Sequence, residues 1–169
     1  MTAYALPDKH GLAAPFAALH HVALVTNDMQ ATVAFYRDVL GSEIAMAHRV
    51  AREDNARHYF ITVAPNTVFA FFEFPEAELP GYEPPTLPKS GRALDHISFF
   101  VENEEQLNAW KARLESHGIA YTEMHNPGMV QAIFFPDPNN IIIEIMIERG
   151  EGMRFPIHAD PDPAYQPPS

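Results

Sequence analysis

The chain contains no cysteine. Disulfides and thiolate metal sites are therefore excluded. Basic residues are scarce, with 11 Lys and Arg against 22 Asp and Glu, a formal charge of −11. Such a balance argues against a nucleic-acid backbone or an anionic membrane as partner. A local arginine or a metal can still attract an anion. No apolar run approaches the roughly 20 residues needed to span a bilayer. No basic stretch followed by an apolar one marks a signal peptide at the N-terminus. A soluble, cytoplasmic protein is expected. The 47% hydrophobic and 11% aromatic content suits a globular fold. A length of 169 residues allows one domain, or two small modules sharing a core.

The order of elements occurs twice. His21-Val22-Ala23-Leu24-Val25 is a short apolar strand. Asn27, with Gln30 three residues on, has the form of a helix cap. Met29, Val33, Tyr36 and Leu40 recur at helical spacing, and Gly41 ends the helix. Strands are expected at Glu43–Val50, Arg57–Val63 and Thr67–Phe74, with a turn at Pro65-Asn66. The second half repeats this. Leu94–Val101 reads as a strand, and Asn103 to Gln106 as a cap. Leu107, Trp110 and Leu114 form a helical stripe ended by Gly118. Strands follow at Ile119–Glu123, Val130–Phe135 and Ile141–Ile147, the last two joined by the Asp137-Pro138-Asn139-Asn140 turn. Each half is a βαβββ module. The expected layout is an N-terminal extension over 1–18 and a first module over 19–74. A semi-rigid Pro-rich linker over 75–93, a second module over 94–148 and a Pro-rich tail over 149–169 follow.

The repeat also carries chemistry. His21 opens the first strand of one module and Glu73 closes its last; His96 and Glu144 hold matching places in the other. The histidines are 75 residues apart and the glutamates 71. Side chains alternate across a strand. His21, Ala23 and Val25 share one face, as do Phe69, Phe71 and Glu73, and Ile142, Glu144 and Met146. The opposite faces (Val22 and Leu24; Ile97, Phe99 and Val101; Ile143 and Ile145) are apolar and can receive the helices. His21, Glu73, His96 and Glu144 form an N/O ligand set suited to one divalent ion of Fe, Mn, Co, Ni or Zn. Glu144 lies in the run Ile141–Ile147, where an unpartnered carboxylate would be costly. Phe69 and Phe71 are expected to wall the same cavity as Glu73. Arg49, Arg52, Arg57 and His58 either bind an anionic substrate or belong to a solvated hairpin.

These segments resemble the vicinal oxygen chelate superfamily of glyoxalase I, methylmalonyl-CoA epimerase, fosfomycin-resistance proteins, bleomycin-binding proteins and extradiol dioxygenases. The resemblance runs from about Leu19 to Glu148. It rests on His21–Val25, Ala34–Gly41, Leu94–Ser98 and Phe135–Asn140 ahead of Glu144. It implies an α+β fold of two βαβββ modules forming a half-open mixed β-barrel around a metal. The modules pair within one chain or across a dimer, and a homodimer is expected. It also implies a small-molecule substrate that chelates the metal through neighbouring oxygens. Four ligands resemble the glyoxalase and epimerase branch, an isomerase or lyase in which Glu73 or Glu144 is the base. The dioxygenase branch uses two histidines and one glutamate, here His21, His96 and Glu144. His125 matches a histidine of the ring-cleavage motif and is the candidate catalytic residue of that branch. Phe134 stands where those enzymes carry a tyrosine, and Glu73 near where they carry an acid/base histidine. A non-catalytic protein binding an antibiotic or metabolite is the third alternative.

Overall fold

The computed structural model describes residues 19–79, 81, 94–126 and 130–148. Both expected tails and most of the expected linker lie outside the described residues. The chain divides into two compact units after Leu79. No described helix is long and apolar enough to cross a membrane.

In the first unit, β1 (His21–Thr26) leads into α1 (Met29–Ala34), which continues as a π-helical turn over Phe35–Val39. Then come β2 (Glu43–Val50), β3 (Ala56–Ala64) and β4 (Thr67–Glu73). The sheet order is β1-β4-β3-β2, with β1 parallel to β4 and the other pairs antiparallel. The second unit repeats it as β5 (Ile97–Phe100), α2 (Glu104–Ser116), β6 (Thr122–Asn126), β7 (Val130–Pro136) and β8 (Ile142–Glu148). Its order is β5-β8-β7-β6, again with only the β5–β8 pair parallel. The expected βαβββ pattern is present twice, as two four-stranded mixed sheets. The strand expected at Ile119–Glu123 begins three residues later, and β5 starts at Ile97 rather than Leu94.

Local chemistry explains the boundaries. Asp28, not Asn27, caps α1: its Oδ1 accepts from Ala31 N at 2.9 Å. Asn103 caps α2 by accepting from Gln106 N at 3.0 Å, while Gln106 reaches back to Glu102 N at 2.9 Å. Gly41 and Gly118 close the helices at φ 74° and 68°, where a Cβ would be strained. The turn before β8 is built by Asp137. Its Oδ1 accepts from Asn139 N and Ile141 N at 2.8 Å each, and Asn140 takes φ 57°.

Each sheet buries one face under its helix. In the first unit, Tyr36 is fully buried, with its ring 5.8 Å from Phe69 and 5.4 Å from Phe71. In the second, Leu107 and Leu114 of α2 are fully buried, as are Ile133, Phe135 and Ile143, and Ile145 and Ile147 are buried beside them. Each such aliphatic side chain contributes roughly 1.5–3 kcal/mol. The other face of the second sheet carries Glu144 among apolar neighbours.

Candidate metal centre

In the second unit the expected pair comes together. Ser98 on β5 lies opposite Glu144 on β8, and His96 immediately precedes β5 on the same face. His96 Nε2 is 3.3 Å from Glu144 Oε2. On its other side, His96 Nδ1 is 2.7 Å from Asp95 Oδ1. The imidazole stands edge-on to Phe134, with ring centroids 5.5 Å apart. Glu144 is only 7% exposed. It rises from an apolar floor of Val130, Ala132, Phe134, Ile142 and Met146, with Met124 packed against them.

Electrostatics make this pair unstable alone. An ionised Asp95 is acceptor-only, so the proton of a neutral His96 ring sits on Nδ1. Nε2 then presents a lone pair to the Glu144 carboxylate. Something positive between them removes the repulsion, either a proton or a metal ion. Two atoms each about 2.1 Å from one ion, at tetrahedral to octahedral angles, stand roughly 3.0–3.4 Å apart. The 3.3 Å separation is of that size, so this donor pair fits a divalent metal.

Glu73 is not placed with His21. Register explains why. β1 pairs with β4 at His21↔Val68, so Ala23 faces Ala70 and Thr26 faces Glu73. Glu73 therefore lies on the helix-covered face, five strand positions from His21, roughly 16 Å. Its Oε1 accepts from Met29 N at 2.9 Å, at the start of α1, and from Arg57 at 3.2 Å. Phe69 and Phe71 are on that same covered face, under Tyr36, and do not wall a cavity with His21. In the second unit the residue opposite the place two beyond the histidine is Glu144; in the first it is Ala70. The first unit thus has an alanine where the second has its carboxylate.

His125 also departs from expectation. It pairs with Gln131 on β7, while Met124 and Thr122 pair with Ala132 and Phe134. His125 is exposed on the face opposite Glu144. Arg49 donates to Asn55 O at 3.0 Å and Arg57 to Glu73, so both serve their own unit; the side chain of Arg52 is outside the described residues. Among the described residues, no three histidine or carboxylate side chains converge on one point.

His21 is exposed at the start of β1. Its Nδ1 is 2.9 Å from His20 Nδ1, and its ring lies 6.3 Å from Phe60. The same face carries His48 and His58, whose Nε2 and Nδ1 are 3.3 Å apart, and His58 stacks on Phe72 at 3.7 Å. In the second unit, Thr122 Oγ1 is buried on the Glu144 face without a hydrogen-bond partner among the described residues. Sequence reading missed His20, His48, Asp95 and Thr122 as neighbours of these faces. The signal that finds them is strand register, which spacing alone does not supply.

The chain belongs to the Glyoxalase/Bleomycin resistance protein/Dioxygenase superfamily, whose family model matches residues 18–145. It is 24% identical over 143 residues to the Bacillus subtilis (strain 168) protein named "Putative ring-cleaving dioxygenase MhqA", a match that covers 82% of this chain. The chain spans only 43% of that protein's length. A lactoylglutathione lyase from Agrobacterium tumefaciens has the same fold, with a TM-score of 0.58 and 22% identity over 79% of this chain and 95% of that one. So does a variant of the fosfomycin resistance protein FosX from Listeria monocytogenes, solved with Mn(II) and a dihydroxypropylphosphonic acid. It has a TM-score of 0.58 and 20% identity over 77% of this chain and 91% of that one.

Proposed function

We propose that this protein is a metal-dependent enzyme that opens the ring of a small aromatic diol with dioxygen, and that its ligands are His21, His96 and Glu144. The observation that carries this is the alanine at position 70. The repeat has two candidate ligand histidines but one carboxylate in register, and Glu73 is engaged elsewhere. A glyoxalase-type isomerase needs the second carboxylate as ligand and base. Two histidines and one carboxylate leave positions open for a chelating diol and for oxygen. Iron(II) bound there would supply Lewis acidity and the one-electron chemistry that activates oxygen.

The chain's own residues define the rest. Glu144 and His96 present their donor atoms over a dry floor. The edge of Phe134 limits how His96 turns. Ile142, Met146 and Phe134 give an aromatic ring an apolar surface. In the overall reaction one ring C–C bond breaks and both oxygen atoms of O2 enter the product, so no further reductant is required. The name of the Bacillus subtilis relative is in keeping with this reading. The departures at Phe134, with no phenol, and at His125, on the other face, mean that any proton transfer uses groups other than those of the ring-cleavage motif.

The test is to load the protein anaerobically with Fe(II), add a catechol, and admit oxygen. Oxygen uptake matched by a ring-opened product is expected, and is lost in Glu144→Ala. Metal-loaded protein that consumes no oxygen with diols, yet isomerises the hemithioacetal of an α-ketoaldehyde, would return the assignment to the glyoxalase branch. Equal diol affinity with and without metal would make the site a plain binding pocket.

A further inference from the structure

We propose that the residue directly before each ligand histidine is a positioning residue, His20 for His21 and Asp95 for His96. The inference rests on the reading of those two histidines as ligands. A histidine binds a metal through one ring nitrogen, and the other must be held for the ring to keep its angle. In both units the neighbour's side chain engages Nδ1, at 2.9 Å from His20 and 2.7 Å from Asp95. Nε2 is thereby the nitrogen left for a ligand. In the second unit it is the one turned to Glu144.

Adjacent residues within a strand point to opposite faces, so such contacts are not expected there. They form here because each pair lies at a strand start. His20 precedes β1, and both Asp95 and His96 precede β5. At a strand start the side-chain alternation of the strand interior is not yet imposed, and the neighbouring side chain can swing beside the ring. The same device at the same place in both units is what distinguishes it from a chance surface contact.

The two neighbours do different things. Asp95 is acceptor-only and fixes the proton on Nδ1 of His96. His20 can donate or accept, so it restrains the His21 ring without choosing its tautomer. Removing Asp95 should therefore be more damaging than removing His20.

Two measurements test this. The first is the tautomer of His96 in metal-free protein, read by long-range 1H–15N NMR above the histidine titration range. Wild type and Asp95→Asn should carry the proton on Nδ1, because the amide oxygen still accepts; Asp95→Ala should shift it to Nε2. The second is titration with Mn(II) or Co(II). Asp95→Ala should weaken binding by about 10- to 100-fold, with Asp95→Asn restoring most of it and His20→Ala losing only a few-fold. A wild-type protein that binds neither ion defeats the ligand reading, and the tautomer then still decides what Asp95 does. An unchanged tautomer in Asp95→Ala, or unchanged metal affinity in both alanine variants of a metal-binding protein, overturns the inference.

Discussion

Replacing Glu73 separates a metal ligand from a helix-anchoring residue. The carboxylate is largely buried and accepts from Met29 N at 2.9 Å, one of the backbone donors that a helix start leaves unsatisfied. A hydrogen bond to a charged acceptor contributes about 1.5–3 kcal/mol. The Arg57 pair is 3.2 Å long and its arginine is 39% exposed, so solvent screening limits it to less than about 1 kcal/mol. Glu73→Ala should then cost about 2–3 kcal/mol. Glu73→Gln keeps a neutral acceptor and should cost about half as much. For a chain of this size, 1 kcal/mol shifts the midpoint by about 2–4 °C, so Glu73→Ala should melt about 4–12 °C lower. Metal content, measured by elemental analysis, should be unchanged in both. A Glu73→Gln protein that melts like wild type but has lost its metal would refute this reasoning and make Glu73 a ligand after all.

Ala70→Glu places a carboxylate at the position that matches Glu144, in a residue only 1% exposed. It should destabilise metal-free protein and be rescued by added metal, so thermal melts with and without Mn(II) should diverge more than for wild type; equal divergence would contradict the register argument. His125→Ala should leave metal binding and oxygen uptake within about two-fold of wild type, and a loss of either would put that histidine back in the reaction. The Tyr121 hydroxyl donates to Glu115 at 2.7 Å, and this bond, with partial burial and the adjacent negative charges, pushes its pKa up to about 12. The folded value lies above the ordinary one near 10, so the contribution is complete below pH 10 and is lost as pH rises through about 12. Ultraviolet titration should find a tyrosine ionising well above the ordinary range, and Glu115→Gln should lower its midpoint.

The repeat was readable because its punctuation is chemical. Glycines at 41 and 118, the Asp137 turn and the apolar stripes on both helices each follow from local rules. Six of the eight strands fall within about a residue of where alternation puts them at each end. Register is different in kind. From β1 to its partner β4 the offset is 47 residues, His21 to Val68; from β5 to β8 it is 46, Ile97 to Ile143. That single residue reverses which parity shares a face. Glu73 and Glu144 occupy similar places by counting, yet one lies under a helix and the other on the open face. The same rule misplaced His125, whose hairpin partner is Gln131. Asn27 and Asp28 are both good caps; Asp28 takes the place, while the Asn27 side chain donates to Ala77 O at 3.4 Å.

Two charged residues are buried among the described ones, and they differ in what satisfies them. Asp137, 3% exposed, accepts from two backbone amides and the side chain of Asn139. Its charge is used by the turn it builds. Glu144, 7% exposed, has His96 beside it at 3.3 Å and an apolar floor below. A carboxylate in such a place is costly without a cation. If the cost is borne for metal binding, removing the charge should stabilise the metal-free protein. Methionine is the suitable replacement, being apolar, flexible and close in length, and His96 keeps its bond to Asp95. Exchanging a poorly compensated buried charge for an apolar side chain is worth about 1 kcal/mol or more, a rise of at least about 2 °C. Glu144→Met should therefore melt higher than metal-free wild type while binding no metal, and metal should stabilise wild type alone. A Glu144→Met protein that melts lower than metal-free wild type would mean that the carboxylate stabilises the sheet itself, and the argument for a cation at this place would lose its energetic basis.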